Sequence, residues 1–219
     1  MLLLAFDTAT PAVTAALHDG RDVLAESTEV DARRHGELLM PAVDRVLREA
    51  DVKLDAVTGI VVGVGPGPYT GLRVGLVTAA ALGDALGVPV HGVCTLDGIA
   101  YAAGLDEPFT VATDARRKEV YWARYDSARS RATDPAVDRP ADIAELVAGL
   151  PSVGAGAELY PEVFTQLRPG FPVHQSAAAL AALAAVKLAE GEAFLPPLPL
   201  YLRRPDAQVP AGYKAVLPK

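Results

Sequence analysis

Residues 60–90, IVVGVGPGPYTGLRVGLVTAAALGDALGVPV, combine a strand, a glycine turn and an apolar helix. The β-branched run at 60–62 fits a buried parallel strand. The turn at 63–68 is rich in glycine and proline, and a helix is predicted from about Thr70 to Leu86. Proline fixes φ and glycine leaves it free, so the turn has few possible shapes. Backbone N–H groups at such a helix N-terminus form a ready anion site.

The glycine turn matches neither of two common nucleotide-binding motifs. A dinucleotide fingerprint needs a third glycine three residues after the second, but Pro68 follows Gly65 and Thr70 follows Gly67 at that spacing. A Walker A loop ends in Gly-Lys-Ser/Thr, and no lysine is present here. Two interpretations stay open: a plain strand-to-helix turn, which the spacing favours, and a phosphate cradle at Gly65 and Gly67.

The predicted helix has one smooth face of small residues. Small side chains recur at every fourth position, so another backbone can approach that face closely. The rest of the helix is mostly apolar, which indicates burial on more than one side. We predict that this helix and the one before it form a dimer interface through Leu39, Val43, Val46, Gly71, Leu72, Gly75, Leu76, Ala79 and Gly83. In the alternative, the smooth face packs on the chain's own sheet.

The composition limits the class of protein. A chain of 219 residues can form one large domain or two small lobes. A net charge of -7 argues against non-specific binding of nucleic acid or anionic membranes, so any RNA must be held by a more basic partner. Cys94 is the only cysteine, which leaves no disulfide framework and favours a reducing compartment.

No membrane segment is predicted. The apolar opening at residues 1–6 stops at Asp7 and lacks a basic region, which indicates a buried strand and not a signal peptide. Arg73 and Asp84 interrupt the most apolar helix, so no charge-free run is long enough to cross a bilayer. We expect a cytoplasmic protein with no membrane contact.

The order of elements in the first half predicts the fold. Strands at 2–6, 13–18 and about 22–29 form an antiparallel start, and a helix that Pro41 delays to about Met40 or kinks follows them. With the strand at 90–93 and a helix that Thr95 caps, the order becomes β-β-β-α-β-α-β-α. This is the order of a ribonuclease-H-like half, and two such halves make the actin-like fold.

The second half carries weaker signals. We assign 1–103 to an N-terminal lobe and 104–219 to a reduced C-terminal lobe with a proline-rich tail. The expected elements of the C-terminal lobe are two strands joined across a charged turn (109–113 and 119–125), a mobile excursion (127–140), a short helix (141–150), a short strand ending in a glycine turn (151–156), a helix capped by Ser176, and an extended, packed tail (195–203).

The loop after the first strand offers one candidate ligand site. Asp7, Thr8 and Thr10 resemble the first phosphate loop of actin-like kinases, where an acidic residue positions a metal–nucleotide. Ala9 stands where such loops have glycine, and a capped turn is the alternative explanation. The four histidines are scattered without metal-ligand spacing. His91 and Cys94 lie on opposite faces of a strand, which disfavours a base–nucleophile pair.

Five strings, taken together, resemble the TsaB (YeaZ) family of bacterial tRNA modification. They are LAFDTAT, RRHGELLMPAVDRVL, VGPGPYTGLRVGL, DARRKEVYWARY and PLYLR, at residues 4–10, 33–47, 64–76, 114–125 and 199–203. The resemblance implies two actin-like lobes and a homodimer when alone. It implies a complex with the catalytic paralogue TsaD and the ATPase TsaE. That complex transfers threonylcarbamoyl to N6 of adenosine 37 in tRNAs that read codons starting with A.

The resemblance also implies that the chain has no metal site. TsaD carries a His-x-x-x-His pair after the corresponding strand, where this chain has Thr95 and Ile99. Neither side chain is a useful ligand for a transition metal. Two hypotheses follow. The first is a non-catalytic scaffold subunit with no cofactor of its own, in a complex that can bind ATP. The second is an actin-like, ATP-dependent enzyme that uses Asp7 and the glycine turn 63–71.

Overall fold

Two mixed β-sheets form the centre of the protein, for which a computed structural model describes residues 1–167 and 170–203. The first sheet contains β1 (Leu3–Asp7), β2 (Ala12–His18), β3 (Val23–Val30), β4 (Gly59–Gly63) and β5 (Val90–Val93), in the order β3-β2-β1-β4-β5. β1 pairs with β2 antiparallel and with β4 parallel, and β4 pairs with β5 parallel. This is the predicted ribonuclease-H-like order.

Helices cover both faces of the first sheet. On one face, α1 (His35–Glu49) and α2 (Tyr69–Leu86) enclose a core with Leu4, Phe6 and Val62. On the other face, α6 (Ala177–Glu190) packs on Leu3 and Val61. The residues of β1, β2 and β4 are buried throughout, which explains their continuous apolar sequences.

The second sheet is smaller. Its strands are β6 (Phe109–Asp114), β7 (Val120–Ser127), β8 (Ser130–Arg131), β9 (Ala136–Asp138), β10 (Pro151–Val153) and β11 (Gln166–Leu167); the main order is β11-β10-β6-β7-β8, and β9 also pairs with β7. Two short helices, α4 (Ala144–Val147) and α5 (Ala155–Leu159), lie between its strands along the chain. The two sheets with their helices confirm the actin-like fold.

Two helices pack across the predicted lobe boundary. α3 (Thr95–Ala103) precedes residue 103, yet Leu96 and Ile99 lie in a core with Phe109 and Tyr125 of the second sheet. α6 belongs to the second half of the sequence and covers the first sheet. A boundary at residue 103 therefore divides the sequence, but the apolar cores contain residues from both halves. Each sheet needs a helix from the other half to cover its apolar face.

Three local expectations were wrong. The first is the start of α1 near Met40: α1 starts at His35 and includes Pro41, since its buried residues on both sides of the proline pack on the sheet. Residues 127–140 form β8 and β9, which pair with β7, and the Trp122 indole donates a hydrogen bond to Asp138. Thr95 does not cap α3 with its side chain; Cys94 is the N-cap residue.

Ser176 caps α6 as predicted, because its hydroxyl accepts a hydrogen bond from the Ala179 N–H. After α6 the chain continues as an extended segment, residues 192–203, which we call the strap. Leu195 of the strap pairs with Gly92 at the edge of the first sheet, so the tail is anchored there, although Leu198 is 65% exposed. No helix within residues 1–167 and 170–203 is both long and apolar enough to cross a bilayer.

Candidate functional site

Asp7 ends β1 with a fully buried carboxylate. One oxygen accepts a hydrogen bond from the Ala9 N–H at 2.6 Å, and the other accepts one from the Thr95 hydroxyl at 2.7 Å. Gly63 lies against the carboxylate so closely that a Cβ there would overlap it. Burial raises the pKa of Asp7 to about 6, although hydrogen bonds to the charged form oppose the rise.

Thr95 connects Asp7 to the glycine turn. Its hydroxyl accepts a hydrogen bond from the Gly65 N–H at 3.1 Å, and its own N–H donates to the Gly65 carbonyl at 2.8 Å. The peptide bond from Gly65 to Pro66 is cis, and Gly65 has φ of 96°. The carboxylate proposed to position a metal–nucleotide therefore holds the turn in place.

The Thr8 hydroxyl also forms hydrogen bonds within the fold. It donates to the Gly71 carbonyl at 2.7 Å and accepts from the Gly75 N–H at 3.0 Å. In an α-helix these two groups would bond to each other, so the hydroxyl is inserted into the first turns of α2. A Cβ at Gly75 would lie 2.7 Å from the Thr8 hydroxyl oxygen, which explains why glycine is needed there.

A cleft of about 250 Å³ lies beside these residues, between the first sheet's loops and the β6–β7 turn. Of the four predicted nucleotide-binding residues, Thr8 lines the cleft and Asp7, Gly65 and Gly67 do not. Gly67 is packed so tightly on Ala9 that a Cβ would overlap the Ala9 carbonyl. The polar walls of the cleft are Thr8, Thr10, Arg33, His35, Thr70, Asp114 and Arg116.

The far wall of this cleft contains an unusual turn. Arg116, Arg117 and Lys118 have φ of 62°, 55° and 61°, so three successive side-chain-bearing residues adopt the left-handed region. Asp114 stabilises the turn by accepting a hydrogen bond from the Arg116 N–H at 2.7 Å and by pairing with its guanidinium at 3.4 Å. The charged cluster predicted here is therefore a structured hairpin turn that places Arg116 at the cleft.

Gln175 was missed by the sequence analysis. It is buried, and its amide nitrogen donates to the Ala12 carbonyl at 3.0 Å and to the Asp7 carbonyl at 3.4 Å. Thr10 donates its hydroxyl to the amide oxygen. A single glutamine just before a helix cap carries no signal for this role, because its partners are more than 160 residues away.

The residues considered as metal ligands or nucleophiles are all packed. Thr95 and Ile99 are fully buried, and residues 1–167 and 170–203 contain no group of three His, Cys, Asp or Glu side chains that could hold a metal ion. Burial raises the pKa of the Cys94 thiol to about 12, whereas the His91 ring contacts the Phe194 ring, with centroids 4.3 Å apart and planes inclined by 40°. These two residues therefore form no base–nucleophile pair.

The predicted interface residues face inward. All nine, from Leu39 to Gly83, are buried in the subunit's own core, and Gly83 lies so close to Val90 that a Cβ would overlap its side chain. The smooth face packs on the first sheet because helix α2 must approach the backbone of the β1–β2 loop closely. The outward face of the two helices carries Met40, Tyr69 and Val77, which are 44%, 52% and 66% exposed.

Comparisons with known proteins agree on the family. The sequence profile described as "TsaD: tRNA N6-adenosine threonylcarbamoyltransferase" matches residues 22–189. An uncharacterised protein of Mycobacterium tuberculosis is 47% identical over 208 residues, which cover 94% of this chain and 93% of that protein. The tRNA threonylcarbamoyladenosine biosynthesis protein TsaB of Escherichia coli is 37% identical over 128 residues, which cover 57% of this chain and 55% of that protein.

The structural comparison covers almost the whole chain. YeaZ from Pseudomonas aeruginosa superimposes with a TM-score of 0.76 at 34% sequence identity, covering 92% of this chain and 99% of that structure. The sequence profile, the curated relatives and the structure lead to one conclusion: this chain, which itself matches the TsaD profile, belongs to the TsaB (YeaZ) family.

Proposed function

We propose that this protein is a non-catalytic scaffold subunit in the biosynthesis of threonylcarbamoyladenosine in tRNA. In this role it docks the catalytic paralogue TsaD and works with the ATPase TsaE. The complex transfers threonylcarbamoyl to N6 of adenosine 37 in tRNAs that read codons starting with A. The subunit reaches tRNA only through the complex, forms a homodimer when alone, and acts in the cytoplasm.

The hydrogen bond between Thr95 and Asp7 carries this proposal. An actin-like enzyme needs an acidic side chain that can reach a metal–nucleotide, but here both Asp7 oxygens have partners inside the protein. Thr95 stands at the first position of the paralogue's histidine pair, and it is the residue that engages Asp7. The same position thus supports a structural role in this chain instead of a ligand role.

The outward face of α1 and α2 supports docking. Met40, Tyr69 and Val77 are large apolar residues in a surface that also presents the small side chains of Ala80 and Ala81. A two-fold interface would bury the same patch on both subunits. The interface that we propose is therefore on the opposite side of the same two helices from the one predicted.

A second candidate function is nucleotide binding in the cleft. Arg33 and Arg116 supply positive charge there, and the N-terminus of α2 faces it through Pro68 and Thr70. Asp7 does not line the cleft, so a metal–nucleotide would lack its acidic partner. We therefore expect Mg–ATP titrated into the isolated chain to give no binding heat. Saturable heat that Arg116→Ala abolishes would instead support this second function.

Reconstitution tests the scaffold function. Transfer to tRNA is measured with threonylcarbamoyl adenylate, the catalytic paralogue and this chain, each omitted in turn. We expect product only when both proteins are present. Val77→Asp should remove the effect of this chain, because a charge in the apolar docking patch opposes its burial. Leu146→Asp, at a leucine of α4 that is 52% exposed, is the matched control and should leave transfer unchanged. Product formed by this chain alone would overturn the proposal.

A further inference from the structure

The strap crosses from one lobe to the other. At its beginning, Glu192 pairs with Lys187 of α6 at 2.7 Å. Leu195 then exchanges two backbone hydrogen bonds with Gly92 of β5, at 3.1 and 3.2 Å. A Cβ at Gly92 would lie 2.6 and 2.8 Å from the carbonyl oxygens of Leu195 and Pro196. The edge of the first sheet is therefore shaped to seat this segment.

The middle of the strap lies over the glycine turn. The Leu200 N–H donates to the Val64 carbonyl at 2.8 Å. The Leu200 side chain packs against two cores, the one beneath α1 and α2 and the one between α3 and the second sheet. One residue of the strap thus contacts the apolar interior of both lobes.

At the end of the strap, two side chains contact different lobes. The Tyr201 ring stacks on Tyr69 of α2, with centroids 5.3 Å apart and planes inclined by 21°. Arg73 reinforces this contact, since its guanidinium lies 3.9 Å from the Tyr69 ring centroid and its Nε donates to the Tyr201 hydroxyl at 3.3 Å. Two residues later, Arg203 pairs with Glu119 at the start of β7, and both side chains are mostly buried.

We propose that the strap is a clasp that couples the outer face of α2 to the second lobe. We call the Tyr201–Tyr69 contact and the Arg203–Glu119 contact the two grips. Only one residue separates Tyr201 from Arg203, so the chain between the grips can lengthen very little. Loss of either grip should therefore loosen the other. Coupling of this kind is reciprocal: a ligand that orders Tyr69 and Tyr201 also orders Glu119.

The consequence for docking rests on the proposed function. A partner that covers Tyr69 and Val77 would press on the Tyr201 ring and tighten the grip of Arg203 on Glu119. Partner binding would then fix the angle between the lobes. The clasp itself is a property of the isolated chain, so it can be tested without any partner, and failure of the scaffold function would leave that test intact.

Amide hydrogen exchange on the full chain tests the clasp at two turns, residues 63–68 and 114–119, which lie on opposite sides of the cleft. Glu119→Gln keeps the side-chain shape and removes the charge; we expect exchange at 63–68 to rise by about threefold or more. Tyr201→Ala should raise exchange at 114–119 to a similar extent. Gly92→Ala, which displaces the strap from its other end, should raise exchange at 114–119; its new Cβ also contacts Val64, so exchange at 63–68 is not used for this variant.

Two controls make the outcome decisive. Tyr201→Phe keeps the ring stack and loses only the hydrogen bond from Arg73, so it should raise exchange much less than Tyr201→Ala does. Glu145→Gln removes an exposed charge of the second lobe outside the strap and should exchange like the parent chain. Thermal unfolding followed by circular dichroism shows whether each variant is folded. If Glu119→Gln and Tyr201→Ala each change exchange only at their own end of the strap, the two grips are independent and the clasp is overturned.

Discussion

At the scale of single residues, the burial of Asp7 limits which ligands the neighbouring cleft can bind. Its carboxylate is the most functional-looking group in the first loop, yet it is fully buried and bonded to Ala9 and Thr95. Burial of an ionised carboxylate is costly, and these two hydrogen bonds offset part of that cost. The carboxylate fixes the glycine turn through Thr95, so its role here is positional.

The titration of Asp7 gives a pH-dependent stability. Burial raises the pKa of Asp7 in the folded state from 3.8 to about 6. The folded protein then binds more protons than the unfolded chain between those values, so this group adds stability as the pH falls from 7 to 4. The full effect is about 3 kcal/mol, from about two pKa units at 1.36 kcal/mol each. Asp7→Asn cannot titrate and lacks this gain.

Urea unfolding of the parent chain and of Asp7→Asn, measured between pH 4 and 7, checks this prediction. The free energy of unfolding of Asp7→Asn relative to the parent should be highest at pH 7 and should fall as the pH falls through 6, because only the parent gains stability by binding a proton at this position. Asp84→Asn, at an exposed position near the end of α2, controls for the loss of one charge. A difference between Asp7→Asn and the parent that is constant across this pH range would contradict the burial argument.

At the scale of elements, the important feature of α2 is the face of small residues that packs on the first sheet. Its repeated small residues allow the Thr8 hydroxyl to enter the backbone between Gly71 and Gly75. Apolar residues also remain on its outer side, so the helix is apolar nearly all round, although it is buried by its own subunit on one side only. A helical pattern cannot distinguish a sheet from a partner helix as the cover of a smooth face.

Gly75→Leu should destabilise the subunit itself. Even the first carbon of the new side chain would lie 2.7 Å from the Thr8 hydroxyl oxygen and 3.7 Å from a Val62 methyl. Overpacking of this kind costs about 1–3 kcal/mol, and the lost Thr8 hydrogen bonds add to it. We expect a lower urea midpoint by circular dichroism, and not a folded monomer.

Gly36→Ala is the matched control for that change. Gly36 is also helical, but nothing lies within 4 Å of the Cβ that alanine would add. Alanine is favoured over glycine inside helices by about 1 kcal/mol, so this variant should be equal in stability or slightly more stable. If Gly75→Leu were as stable as Gly36→Ala, the smooth face would have to lie elsewhere than on the sheet.

At the scale of the whole molecule, the lobes are interdependent. α6 encloses Leu3, Ala5 and Val61 on the face of the first sheet that its own half leaves open. α3 does the same for the second sheet. The strap adds a further connection at the glycine turn. The two halves of the sequence are therefore not two folding units.

A fragment of residues 1–103 should not fold alone. Without α6 the first sheet would expose one apolar face to water, and a mixed sheet of this kind needs both faces covered. We expect the fragment to show no cooperative urea transition by circular dichroism, under conditions where the full chain does. A sharp transition with native-like secondary structure would show that the first lobe is stable without its C-terminal helix.

The sequence by itself determined the order of the strands and helices in the first half, the strand β4 and its glycine turn, and the buried first strand. These follow from local chemistry: β-branched runs, turn residues at fixed spacing, and caps such as Ser176. It also pointed to the family through five separate strings. What these signals share is that each depends on residues close together in the chain.

Only the tertiary structure decided which way α2 faces, that Thr95 engages Asp7 across 88 residues, and that α3 and α6 exchange sheets. The tertiary structure also keeps α1 helical through Pro41. Burial of apolar residues before and after the proline outweighs the cost of a proline inside a helix, which is about 3 kcal/mol. Long-range contacts leave no local pattern, since a hydroxyl or a glutamine looks the same whether its partner is water or a buried carboxylate. Packing alone selects the partner, because each buried polar group must find a hydrogen bond within the fold.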